Sequence, residues 1–155
     1  MKLSATDQTL YPQLARYLRI ELPKLATYPK ILKNVKKYGN IDKVEFTNAV
    51  TWNSGPLLVV TDLNHGQCGV PQAYGCFDGT KPTQIQIDKV TVNQFEKGVS
   101  GQKDNNAKGK AVFVVGATIL HELCHWGNHN NVPRIPEVLE MGEQFELNTY
   151  GKGIF

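Results

Sequence analysis

Apolar and polar positions change their rhythm several times along the chain. From Gln8 to Gly39 apolar residues recur every three or four positions, interrupted by Pro23 and Pro29, which predicts two or three short helices. In the last of these, "KILKNVKKYG" (Lys30–Gly39), Ile31, Leu32 and Val35 share a face with lysines between them, the pattern of an amphipathic surface helix. "GPLLVVTDL" (Gly55–Leu63) is a β-branched run bounded by turn residues and predicts a strand. "PTQIQID" (Pro82–Asp88) alternates, Ile85 and Ile87 against Gln84, Gln86 and Asp88, and predicts a half-buried strand at a sheet edge. "TVNQFEKGV" (Thr91–Val99) reads as a short helix capped by Thr91. "AVFVVGATILHELCHWG" (Ala111–Gly127) is apolar on all sides, hence a core element, with Gly127 as its natural stop. Beyond Pro133 and Pro136, "EVLEMGEQFELNTYG" restarts as a helix ending near Gly151.

Two stretches lack periodicity. "SGQKDNNAKGK" (Ser100–Lys110) reads as a solvated loop. "NHGQCGVPQAYGCFDGTKP" (Asn64–Pro82) is a long Gly- and Pro-rich excursion, and excursions of that length in compact domains tend to be functional. No repeat or low-complexity segment is present. The pattern as a whole predicts a single α+β domain over residues 1–155, with helices packed on a small twisted sheet.

Composition narrows the classes of partner. A net charge of +3 lacks the dense Lys/Arg stripe of a nucleic-acid binder. No apolar run approaches the roughly eighteen residues of a membrane span. "MKLSATDQTLYPQLARYL" has no contiguous apolar core after its lysine, so no secretory signal is read there. The expectation is a cytoplasmic protein, or one that leaves by a route independent of such a signal. Cys68 and Cys76 flank a short polar loop and stand open between a disulfide and two free thiols.

The chemistry concentrates in "HELCH" (His121–His125). Residues four apart on a helix share a face, with Cβ atoms about 5–6 Å apart, so two imidazoles there can reach one zinc ion at about 2.0–2.1 Å. On a strand the same spacing puts them about 13 Å apart, too far to share an ion. The metal reading therefore requires a helix. Glu122, one step round from His121, sits where a carboxylate could take a proton from metal-activated water. A random chain with these four His and eight Glu would carry H-E-x-x-H about 0.005 times. Three ionisable groups in an otherwise apolar helix are also costly to bury unless they pair or bind a metal.

A catalytic zinc site needs a third protein ligand and an open position. The arrangement with a third histidine ten residues after the first fails, because Asn128 and Asn131 occupy the two diagnostic positions. His129 lies eight residues from His121, about 12 Å along a continuous helix, and fits a role toward substrate or transition state better than ligation. The remaining source is the acidic helix with Glu137, Glu140, Glu143 and Glu146. Here the chain resembles the gluzincin metallopeptidases, in which a glutamate from a second helix follows H-E-x-x-H by about twenty residues. Glu146, twenty-one residues after His125, is the preferred third ligand, with Glu140 and Glu143 as alternatives. Gly142, one turn earlier, would leave room for the first helix and the ion, and Phe145 would anchor the second helix in the core.

A closer resemblance is to the metallopeptidase toxin domains of bacterial polymorphic toxins and type VI secretion spikes. Their pattern H-E-x-x-H-[YW]-G, then E-x-G-x-x-F-E, then Y-G is matched by "HELCHWG", "EMGEQFE" and "TYG" over the last 45 or so residues. The resemblance implies a zincin-like fold with the H-E-x-x-H helix at its centre, a zinc cofactor and hydrolysis of a peptide or protein substrate. It implies an effector role as well, with a secretion spike protein and a cognate immunity protein as partners, and action in a target periplasm.

"PTQIQID" stands open between a strand for substrate to add to and an ordinary half-buried strand, and His65 and Tyr74 in the Gly-rich excursion read as surface residues, with a flap that brings either near substrate as the alternative. His129, Tyr150 and Tyr74 are the candidate donors to a developing oxyanion. Cys124 reads as a buried inert thiol and Trp126 as packing. The alternative from another class is a non-catalytic zinc-binding interaction module, which would have no need of Glu122.

Overall fold

The β-branched run and the alternating run pair with each other at the middle of a four-stranded sheet. The computed structural model describes residues 1–155. In it β2 (Leu57–Thr61) lies parallel to β4 (Gln84–Asp88), in the register Leu57 to Gln84 through Thr61 to Asp88. β1 (Lys2–Leu3) adds parallel to the other side of β2, and β3 (Gly75–Cys76) adds antiparallel to β4, giving the order β1-β2-β4-β3. Ile85 and Ile87 are buried, as their alternation requires. The expected edge position of residues 82–88 is corrected: β4 is interior and the edge is β3. Two residues inside a Gly-rich excursion carry too little pattern to announce a strand.

The helices cover this sheet and one another. α1 (Ala5–Leu10) and α2 (Pro12–Arg16) run into a continuous helical stretch, Tyr17–Thr27, that accommodates Pro23 in a 3-10 turn. Pro29 begins α3 (Pro29–Gly39) at its first turn, where a missing N–H costs nothing. α3 is less of a surface helix than its lysines suggest. It buries Ile31, Asn34 and Val35, while Lys30, Lys33, Lys36 and Lys37 stay exposed. α4 (Lys43–Val50) follows, capped by Asp42.

β4 passes directly into α5 (Lys89–Lys97), and the cap is Asp88, not Thr91: its carboxylate accepts from the Val90 and Leu63 N–H groups at 3.0 and 2.9 Å. The loop expected at Ser100–Lys110 contains β5 (Lys103–Asn105), paired antiparallel with β6 (Ala111–Phe113). β6 leads into α6 (Val114–Asn130), which packs on β3 and β4 and also against α3 and α7 (Met141–Tyr150). Gly127 does not stop α6. A Cβ there would lie 2.5 Å from the Gly39 carbonyl and also strike Ile41, so this glycine serves close packing and the helix continues to Asn130. One contiguous core joins residues from Met1 to Phe145.

Candidate metal centre

On α6, His121 and His125 stand one turn apart with ring centroids separated by 5.4 Å. Both rings face the start of α7, and the position of that start decides the site. The helix expected from Glu137 is corrected: residues 137–140 are non-helical with a bend at Val138 and Leu139, and α7 begins only at Met141, because the Glu140 carboxylate caps it by accepting from the Gly142 N–H at 3.2 Å and from the Glu143 N–H. The same carboxylate reaches the histidines: its Oε1 lies 3.5 Å from His121 Nε2 and against His125 Nε2. One ligand atom from each of His121, His125 and Glu140 falls within 4.8 Å of the others.

Glu146, the preferred third ligand from spacing, occupies a different place. It is buried (7% exposed), and its Oε1 sits 2.8 Å from His121 Nδ1, the nitrogen turned away from Glu140. Its Oε2 accepts the Ile154 N–H at 2.7 Å. With a proton on Nδ1 donated to Glu146, His121 presents the Nε2 lone pair to the cluster, an arrangement typical of histidines that ligate a metal. Glu143 is exposed at the rim, and Glu137 Oε1 is 3.6 Å from His125 Nδ1, too far for a hydrogen bond. Gly142 lies flush on the His121 ring, where any Cβ would collide with it. Two imidazole nitrogens and one carboxylate oxygen converging on one point are a donor set suited to zinc and similar divalent ions.

The charges in this cluster depend on one another. Burial disfavours a proton on His121, but the carboxylates of Glu140 and Glu146 hydrogen-bonded to it outweigh burial and raise its pKa to about 10. His125 is raised for the same reason, mainly by Glu140. Glu140 is itself desolvated, yet its two histidine partners hold it far below the ordinary carboxylate range. A divalent cation takes the place of such ring protons when it binds.

Glu122 faces the same cleft from α6 and is 6% exposed. Burial pushes its pKa up, against the pull of His121 and His125. β3 runs directly over it: a Cβ on Gly75 would lie 2.7 Å from both Glu122 Cγ and Thr118 Cγ2. The cleft has a volume of about 930 Å³. Opposite the helices its wall runs from Cys68 to Gly79, and Cys68 and Cys76 are joined in a disulfide with a Cα–Cα distance of 6.0 Å.

His129 lines the cleft two turns beyond His121, its ring 5.3 Å from that of Phe77, with Gly79 leaving it room. Tyr74 lines it too. Tyr150 does not: its ring packs on Phe145 at 6.1 Å behind the site, and burial drives its hydroxyl pKa far up. His65 lies outside the cleft, 3.1 Å from Asp62. Cys124 is fully buried where α6 meets Gly39, its thiol pushed well up by desolvation. Trp126 is partly buried against the core.

The chain belongs to the metallopeptidase toxin 3 family, whose model matches residues 7–151. No curated protein and no solved structure matches it. Membership implies a toxin of the peptidase type that uses a metal cofactor and acts on protein or peptide, and it points that chemistry at the His121, His125 and Glu140 cluster.

Proposed function

We propose that this metallopeptidase toxin is a zinc-dependent hydrolase of peptide bonds, with a zincin-like fold built around the α6 helix. His121, His125 and Glu140 hold the metal, Glu146 orients His121, and Glu122 is the catalytic base. The role expected of Glu146 from its spacing thus passes to Glu140. The observation that carries this reading is the convergence of two Nε2 atoms and a Glu140 oxygen within 4.8 Å, beside a buried Glu122 in the same cleft.

A zinc ion held by His121, His125 and Glu140 would supply Lewis-acid chemistry, as a polariser of a carbonyl and an acidifier of water. Glu122 takes the proton of the attacking water and delivers it to the leaving amine. Its burial favours the protonated form, which suits a group that must hold a proton between those two steps. An extended peptide added to the free edge of β3 passes over Glu122, because Gly75 sits against that carboxylate. His129 and Tyr74 are among the donor side chains that line the cleft where its carbonyls would lie, with Arg134 and Gln72. Tyr150, enclosed behind Phe145, is given no part in this chemistry.

In biological terms the proposal is an antibacterial effector, carried by a secretion spike protein through a contractile machine and restrained in its producer by an immunity protein. The Cys68–Cys76 disulfide fits action in an oxidising place such as a target periplasm. No helix is long and apolar enough to cross a membrane.

Metal analysis of the purified protein and of Glu122→Gln tests the assignment. Both should carry one zinc, while the variant loses about 10²–10⁴-fold in peptidase activity and loses its toxicity when directed to the periplasm. A variant that hydrolyses peptide at the wild-type rate rejects the mechanism. A wild type that binds zinc but hydrolyses nothing leaves the interaction-module alternative.

A further inference from the structure

We propose that the segment following α7, Gly151–Phe155, is a positioning device for the metal centre, in which the backbone N–H of Ile154 aims Glu146 at His121; this rests on the metal reading above.

Two donors hold the Glu146 carboxylate. His121 Nδ1 lies 2.8 Å from Oε1, and the Ile154 N–H lies 2.7 Å from Oε2. A carboxylate buried this deeply is costly unless its oxygens are satisfied, so each donor constrains the other's geometry. Without the Ile154 N–H, the carboxylate is free to rotate about its last bond and its grip on the imidazole loosens. His121 then loses the partner that selects which of its nitrogens faces the metal.

The segment is itself held in three ways. Gly151 adopts φ 81°, a left-handed turn that reverses the chain, and a Cβ there would meet Ala107 at 2.5 Å. The Ile154 side chain is 3% exposed, packed with Val114 and Ala117 on α6. Asp104 on β5 takes Lys152 Nζ at 2.8 Å and the Phe155 N–H at 3.3 Å through one oxygen. Contacts thus run unbroken from Asp104 through the segment to Glu146 and His121. This gives the β5–β6 hairpin, remote from the cleft, a part in the metal centre.

Ile154→Pro deletes the N–H while keeping an apolar side chain, and Ile154→Val keeps the N–H and is its control. The readouts are zinc affinity by competition with a chromogenic chelator, the visible spectrum of the cobalt(II)-substituted protein, and the thermal midpoint of the metal-free form. Ile154→Val should bind zinc within about twofold of wild type. Ile154→Pro should bind about 10–100-fold more weakly, as removal of outer partners of a ligating histidine does, with an altered cobalt spectrum. A merely structural role moves the metal-free midpoint and leaves affinity and spectrum alone, and that outcome overturns the proposal. Should Ile154→Pro fail to fold, Asp104→Asn takes its place. About a two- to fivefold loss of zinc affinity is then expected from releasing the Lys152 contact, and wild-type affinity overturns the inference. If the wild type itself takes up no zinc, the metal reading fails and this inference with it; equal affinity across the variants removes the inference alone.

Discussion

On one side of the cleft, His121 and His125 sit a turn apart on α6 and Glu140 caps α7; on the other, Cys68–Gly79 cross it as a disulfide-closed loop and a two-residue strand. The helical wall satisfies its own backbone hydrogen bonds and buries Leu120, Leu123 and Phe145 completely. The facing wall has no such interior. It is held by the two β3–β4 residue pairs, the Asp88 N–H donated to the Tyr74 carbonyl at 2.8 Å, and the cross-link. One wall should therefore bind metal by itself, and the other should present substrate to it. The difference predicts that metal affinity and turnover can be lost separately.

The largest effect is expected within the helical wall. Glu140→Gln removes the proposed ligand and should weaken zinc at least ~100-fold, whereas Glu146→Gln, which on the same proposal only slackens an orienting contact, should cost about 10-fold and no more than about 100-fold. Isothermal titration of both variants decides the order, and a reversed ranking would return the ligand role to Glu146.

An intermediate effect is expected across the cleft. Replacing both Cys68 and Cys76 by serine opens a loop of sequence separation 8. In the chain-entropy account this costs about 2–3 kcal/mol of stability, read as a fall in denaturant midpoint. Zinc should remain bound while peptidase activity drops, because β3 loses its anchor over Glu122. Equal loss of zinc and activity would show that the walls are not independent.

A dependence on pH distinguishes the two states of the helical wall. Without a metal, the Glu140 and Glu146 carboxylates outweigh burial and push the His121 pKa up to about 10 from an ordinary 6.5. A ring that holds its proton more tightly when folded stabilises the fold fully below pH 6.5 and loses that contribution as pH rises through about 10. The thermal midpoint of the metal-free protein should fall between pH 7 and 10. The zinc-loaded protein, whose ring has exchanged its proton for the ion, should not share that fall. Parallel profiles for the two forms would contradict the assignment of His121.

Much of this could be read along the chain, and the divisions are physical. β2, β4 and the bodies of α5, α6 and α7 lie where the apolar patterning predicts them, because burial leaves its mark on the sequence, although α6 runs past Gly127 to Asn130 and α7 starts at Met141, not at Glu137. Helical spacing alone also puts His121 and His125 on one face with Glu122 beside them, whatever the rest of the fold does. β3 and β5, at two and three residues, are too short to have a period. Gly127 reads as a stop from its identity and proves to be a packing site only when Ile41 arrives from elsewhere in the chain.

The third carboxylate shows most sharply where the sequence stops deciding. Residues 137–146 offer four glutamates, and spacing puts Glu146 first among them, but counting along the chain carries no information about how α6 crosses α7. Packing ranks them. Phe145 in the core, Gly142 against the His121 ring and the Glu140 cap together set where α7 begins and which way it faces. The i, i+4 pairing of His121 and His125 is thus local, written in residue types and spacing, while the division of labour proposed for Glu140 and Glu146 follows from how two helices meet.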